Sequence, residues 1–243
     1  MNTDAVFAAL MERATVRKFT DQDVSDEVIE RIAKAGRQAP YATPMYSVLV
    51  TKDPEKKRVL HSLFGALGAA PVFFLICMDI HKMECLIGSQ GRFEGVDDLN
   101  LLMWSIQDAA YVAQNMVTAA DAMGLGSCYL GGAPWKVETL SELFRLPDRV
   151  FPLVGLVMGY PAEFPAPRPR ISMNHVLHWE EYRSMTADDV EKTLRFMDEK
   201  RNRSETYRDL MLRKYRGLGH FPCLRQLMAT KGISVVRRGD VEE

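Results

Sequence analysis

Cysteine is scarce in this chain and never closely paired. Cys77, Cys85, Cys128 and Cys223 stand at irregular spacings with no Cys-x-x-Cys, which argues against a zinc ribbon, an iron–sulfur run or a dithiol redox motif. They read as reduced thiols in a cytoplasmic protein. Long apolar runs are missing as well: the longest, Ala69 to Met78, falls far short of the roughly 20 residues that span a bilayer. The start, Met1-Asn2-Thr3-Asp4, carries neither a basic flank nor an apolar leader core. Nor is there an excess of one charge. With 31 Lys and Arg against 32 Asp and Glu, no global field draws nucleic acid or an anionic membrane, so any anion site must be local.

Familiar catalytic motifs are absent too. Gly124-Leu125-Gly126 has Tyr129 where a dinucleotide-binding fingerprint needs its third glycine, and it follows a helical pattern instead of a strand. Gly88-Ser89-Gln90-Gly91 lacks the spacing of a nucleophile elbow, and no Gly-x-x-x-x-Gly-Lys loop occurs. His81 with Cys85, and His175 with His178, each offer two metal ligands without a third in register, so no metal is expected.

What is present is a clear alternation of helix and strand signals. Val6, Phe7, Leu10 and Met11 mark one face of a helix over 4–12, and Arg13 to Phe19 breaks its pattern. Ser25, followed by Asp26 and Glu27, opens a second helix, with Val24 and Ile29 spaced as a hydrophobic staple. After a loop at Pro40–Pro44, Tyr46–Thr51 reads as a strand, and Asp53-Pro54 caps a third helix. Pro71–Met78 reads as a central strand covered on both faces. His81 to Asp98 has no clear period and is expected to be an irregular excursion. Leu99 to Met123 keeps helical spacing for about seven turns, a long and largely buried helix. Short elements at Ser127–Leu130, Val137–Phe144 and Phe151–Met158 follow, then a proline-rich extended stretch over Tyr160–Pro169. Beyond Thr186 the chain is helical and strongly charged. Few strands among many helices indicate an α+β fold.

Two basic clusters stand far apart, Arg13-Ala14-Thr15-Val16-Arg17 and Arg168-Pro169-Arg170. In extended backbone alternate side chains share a face, so Arg13, Thr15 and Arg17 point together, and Pro169 holds Arg168 and Arg170 extended. Paired guanidinium forks with a hydroxyl suit a phosphate dianion.

Arg13-Ala14-Thr15-Val16-Arg17-Lys18-Phe19 resembles the Arg-Arg-Ser-Val-Arg-x-Phe signature of the nitroreductase family. Gly124 to Gly132 resembles that family's Gly-Leu-Gly-x-x-x-Ile-Gly-Gly turn. Leu146-Pro147, Pro152 and Met158-Gly159-Tyr160-Pro161-Ala162-Glu163 are similar to its Leu-Pro…Pro…Leu-Gly-Tyr-Pro-Ala-Glu stretch, and Arg168-Pro169-Arg170 to its Lys/Arg-Pro-Arg. The motifs fall in the family's order over residues 13 to about 182; from Arg201 onward the similarity is faint and closest to the larger, NADPH-preferring bacterial type.

The resemblance implies a central mixed sheet flanked by helices, and a homodimer with the long helix in its core. Residues 1–185 would form the FMN-binding domain and 186–243 a charged helical extension packed on the partner subunit. It implies that Arg13, Thr15, Arg168 and Arg170 hold the FMN phosphate and ribityl chain. Arg17 would approach the pyrimidine edge, and Tyr129 to Gly132 would lie along the ring, with the Gly131 amide as donor to N5. Ala14 and Tyr41 complete the expected cofactor-binding set, although the 40–46 loop departs from the family's pattern and Tyr41 suits either the ring or the core. The implied activity is reduction of FMN by NADPH or NADH, then of a nitroaromatic, quinone, enone or free flavin. No side chain would act as acid, base or nucleophile. A flavin enzyme without nicotinamide turnover, or a non-catalytic flavin-binding redox sensor, are the alternatives.

Overall fold

Ser25 and Asp53 open two helices as capping chemistry requires: Ser25 Oγ accepts from the Val28 amide at 3.3 Å and Asp53 Oδ1 from the Lys56 amide at 2.8 Å. The computed structural model describes residues 3–41, 43–88, 98–201 and 203–235. It divides into two compact units, one running to Pro165 and resuming at Cys223, the other Ala166–Pro222. In the first unit lie α1 (Thr3–Glu12), α2 (Asp26–Arg37), β1 (Tyr46–Thr51), α3 (Pro54–Phe64) and β2 (Val72–Asp79). They are followed by α4 (Ile80–Ile87), α5 (Asp98–Ala122), β3 (Gly126–Leu130), α6 (Val137–Phe144) and β4 (Val150–Gly159). Short 3₁₀ turns at Gly65–Ala69 and Ala133–Lys136 precede β2 and α6.

The four strands are ordered β1-β2-β4-β3 and every neighbouring pair is antiparallel. The α+β expectation holds; the mixed sheet does not extend to these strands, and the parallel pairing among the described residues is a single bridge between Thr15 and Ser127. The reason lies in the connections. Thr51, the last residue of β1, pairs with Phe73 at the start of β2, so α3 and its 3₁₀ turn return the chain to the end of the sheet it left.

All eight residues of β2 are buried. Their alternation feeds two cores: Val72, Phe74 and Ile76 pack with α2 and α5, and Phe73, Leu75 and Cys77 with α3 and α6. Each large apolar side chain so buried contributes about 1.5–3 kcal/mol. Pro152, which lacks a ladder donor, sits at a bulge where Ile76 pairs with Val154 and Cys77 with Pro152.

Helix α5 buries one stripe, from Leu101 and Leu102 through Val112, Met116 and Ala120, but it is not buried all round. Leu99, Met103, Trp104, Ile106 and Tyr111 are exposed on the single chain. Gly124, at φ +79°, stops the helix in a conformation that costs glycine little. The expected excursion after His81 is corrected in its first part, which is α4; residues 89–97 lie outside the described residues.

Arg149 ties the ends of this region together. Its guanidinium pairs with Glu84 of α4 at 3.0 Å and Asp98 of α5 at 2.8 Å, and donates to the Gly232 carbonyl at 2.8 Å. The chain after Cys223 belongs with this core: α9 (Leu224–Ala229) precedes Ile233, which is buried with Met45, Met78 and Phe151. The division between units thus falls away from residue 186, where the charge pattern changes.

The second unit takes up the end of the proline-rich segment, which forms neither helix nor strand over 166–170, and then a 3₁₀ turn at Met173–His175. A hairpin of α7 (Ala187–Arg201) and α8 (Tyr207–Leu218) follows, linked by an Arg208–Glu191 ion pair at 2.8 Å.

Candidate functional site

The Arg13–Arg17 segment leaves α1 as an extended strip pinned at both ends. The Val16 amide donates to the Ser127 carbonyl at 3.0 Å, and the Thr20 amide to the Tyr160 carbonyl at 2.8 Å. Lys18 reinforces the second contact: its carbonyl accepts from Ala162 at 3.0 Å and its ammonium pairs with Glu163 at 2.9 Å. Val16 is buried against Gly126, where an added Cβ would lie 2.4 Å from Val16 Cγ2. Two motifs more than a hundred residues apart in the sequence are therefore in direct contact, and Arg17 is left facing solvent.

Across the strip, β3 leads through Leu130 to the Gly131-Gly132 turn. An added Cβ at Gly131 would meet nothing within 4 Å, so the backbone there borders open space in which a flat ring can approach the amide. Tyr129 is 39% exposed beside that space. Burial pushes its phenol up to about 12, against the pull of Arg13 and with the push of Asp121. Asp121, in the last turn of α5, is pushed up to about 6 by burial, with Arg13 drawing it back. Arg13, Asp121 and Tyr129 therefore share one local field.

The structure brings together Arg13, Ala14, Thr15, Arg17 and the Tyr129–Gly132 turn within the first unit. Arg168 and Arg170 are carried by the second unit, both exposed, with the Arg170 guanidinium donating to the Arg168 carbonyl at 3.0 Å. Among the described residues no salt bridge engages Arg13, Arg17, Arg168 or Arg170. Within each unit, taken by itself, the two guanidinium groups can offer charge-assisted donors to an anion. Tyr41 is exposed at the mouth of the 40–46 loop, and its field, with burial and Asp108 ahead of it, raises the Tyr46 phenol. The loop is held by the Met45 amide, which donates to the buried Asp108 carboxylate at 3.3 Å.

Among the described residues no group of three potential metal ligands occurs. His81 Nε2 lies 3.3 Å from Cys85 Sγ, and His178 Nδ1 accepts from the Arg183 amide at 3.3 Å. Sequence reasoning missed Asp121, whose one signal was a carboxylate in the last helical turn before Gly124-Leu125-Gly126. It also missed Gly126, whose contact with Val16 needs the fold to be seen.

The chain is similar to known proteins over most of its length. The profile of the Nitroreductase family matches residues 10–60 and 52–160. An "FMN reductase (NADPH)" of Bacillus subtilis (strain 168) is 33% identical over 207 residues, covering 82% of each chain. A "CR(VI) reductase" of Pseudomonas sp. (strain G-1) is 37% identical over 194 residues, covering 74% of this chain and 76% of its own. Among solved structures, the NfrA1 nitroreductase from B. subtilis superposes with a TM-score of 0.82 at 30% identity, covering 93% of this chain and 98% of that one.

Proposed function

The chain belongs to the nitroreductase family, and from that premise we propose that it is an FMN-dependent NAD(P)H oxidoreductase with the Gly131 turn and the Arg13–Arg17 strip as its flavin site. The observation that carries this reading is the strip hydrogen-bonded to β3 beside a glycine amide that borders open space. Bound FMN would supply hydride chemistry, accepting from NADPH or NADH and donating to a nitroaromatic, quinone, enone or free flavin. The protein's residues bind, orient and tune. Arg13, Thr15, Arg168 and Arg170 are assigned to the phosphate and ribityl chain, and the Gly131 amide to N5. Arg17 is assigned to the pyrimidine edge, where a cation favours negative charge on the reduced ring. Reductant and acceptor share one face in turn, so kinetics are ping-pong.

We further propose a homodimer, supported by the apolar faces that α1 and α5 leave exposed on the single chain, and a cytoplasmic location, suited to exposed free thiols at Cys85 and Cys223. Of the C-terminal helices, α7 and α8 are assigned to the partner's surface, since α9 packs on its own first unit.

The test is direct. Purified protein should be yellow and release FMN, and the Arg170→Ala variant should bind FMN about tenfold to a hundredfold more weakly, the worth of one charge-assisted hydrogen bond. Release of FAD, or an unchanged FMN dissociation constant in Arg170→Ala, would count against the assignment.

A further inference from the structure

A cleft of about 490 Å³ opens between residues 17–23, the end of β1, α3 and the 3₁₀ turn before β2. Ala66, Ala69, Ala70 and Pro71 contribute the apolar part of its lining. Four cations line it: Arg17, Lys18, Lys52 and Lys57. Two are committed. Lys52 pairs with Asp23 at 3.3 Å and Asp26 at 2.8 Å, and Lys18 pairs with Glu163 at 2.9 Å.

Arg17 and Lys57 make no salt bridge among the described residues, although they line the same cleft. Asp21 is the lining carboxylate outside those pairs, and it is exposed, where water and salt screen it. A planar guanidinium fork and an ammonium outside any salt bridge, with Thr20 and Gln22 also in the lining, supply the donors a tetrahedral dianion accepts from.

We propose that this cleft is a second phosphate-recognition subsite, in which Arg17 and Lys57 clasp the phosphate dianion of a phosphorylated dinucleotide or of a phosphorylated flavin during turnover. The inference rests on the functional reading above, because Arg17, with five donors, is also the residue assigned to the ring edge. One residue then couples arrival of a phosphorylated reactant to the flavin.

The experiment titrates inorganic phosphate into FMN-loaded wild type, Lys57→Ala and Lys57→Glu by calorimetry. It then compares kcat/KM for NADPH against NADH with menadione, a neutral quinone, as acceptor, and for FMN against riboflavin as acceptor. Phosphate affinity should fall about tenfold in Lys57→Ala and further in Lys57→Glu, with FMN content and menadione KM unchanged. One discrimination ratio should fall by about the same factor. A fall in the dinucleotide ratio assigns the phosphate to the reductant, and a fall in the flavin ratio to the acceptor. Unchanged phosphate binding in Lys57→Glu overturns the proposal. So does weakened binding with both ratios intact, which marks an adventitious ion only. Lys57-dependent phosphate binding by a wild type that does not oxidise NAD(P)H would instead overturn the oxidoreductase reading and uphold the cleft.

Discussion

A single methyl group separates two roles at Gly131. Its Cβ would touch no protein atom within 4 Å and its φ is not positive, so Gly131→Ala should match wild type in chemical denaturation of the flavin-free protein. The same methyl would stand in the space assigned to the ring, so FMN affinity should fall at least about fivefold, since overpacking costs roughly 1–3 kcal/mol. Equal FMN affinity with equal stability would place the ring elsewhere. Asp121 makes a pH-dependent prediction. Its carboxyl is held at about 6, above the ordinary range near 4, so the folded protein keeps this proton longer than the unfolded chain. The ionised form is thus the penalised one, and this residue's cost to stability is absent below about pH 4, grows as pH rises to about 6 and is constant above. Asp121→Asn should therefore raise the thermal midpoint at pH 7.5 and leave it unchanged at pH 3.5, read by calorimetry of the flavin-free protein. An equal shift at both pH values would show that the effect is not titration.

At the scale of elements, the contact between Val16 and Gly126 decides where the basic strip lies. Gly126→Ala puts a Cβ 2.4 Å from Val16 Cγ2 and must displace the strip from β3, so FMN binding should weaken although neither residue is assigned to the cofactor. Adding Val16→Gly removes all three close atoms, including the Cβ at 2.6 Å that alanine would keep, and should recover most of the affinity, measured by flavin fluorescence titration. A double variant as weak as the single one would refute the steric account. The contact was invisible in the sequence, as were the antiparallel register and the bulge at Pro152, because each depends on which distant segment comes alongside. What was legible was local. Capping at Ser25 and Asp53, the apolar run of β2 and the period of α5 are written in adjacent residues. Helix α4 escaped notice because eight residues make barely two turns, fewer than a periodicity window resolves. The buried Ile233 was missed because Ile233, Val235 and Val236, beside a charged terminus, are too few to show a period.

The whole molecule poses a burial problem that a single chain leaves open. Along α5 the buried stripe continues to Ala120, yet Leu99, Met103, Trp104, Ile106 and Tyr111 face outward, and α1 likewise exposes Val6, Phe7, Leu10 and Met11. Their periodicity looked like core in the sequence, and for half of α5 it is. The other half has the same chemistry but is exposed among the described residues, which the sequence alone does not distinguish. Monomeric proteins rarely leave contiguous apolar surface of that extent in water. A second copy covering it would bury at least about 1,200 Å², the lower end for a stable interface. The site bears on the same point: Arg13 follows α1 directly, so a cover over α1 would also steady the start of the basic strip. Dimerisation and flavin binding should then be coupled. Light scattering at micromolar concentration should give twice the chain mass, and Trp104→Glu, which sets a carboxylate into that apolar face, should lower the mass and the bound flavin together. The exposed position of Trp104 in the single chain means the variant should still fold, with an unchanged far-ultraviolet circular dichroism spectrum. A wild type that is monomeric with FMN in place, or a Trp104→Glu monomer that keeps its full flavin, would separate the two properties and leave the exposed face of α5 without this role.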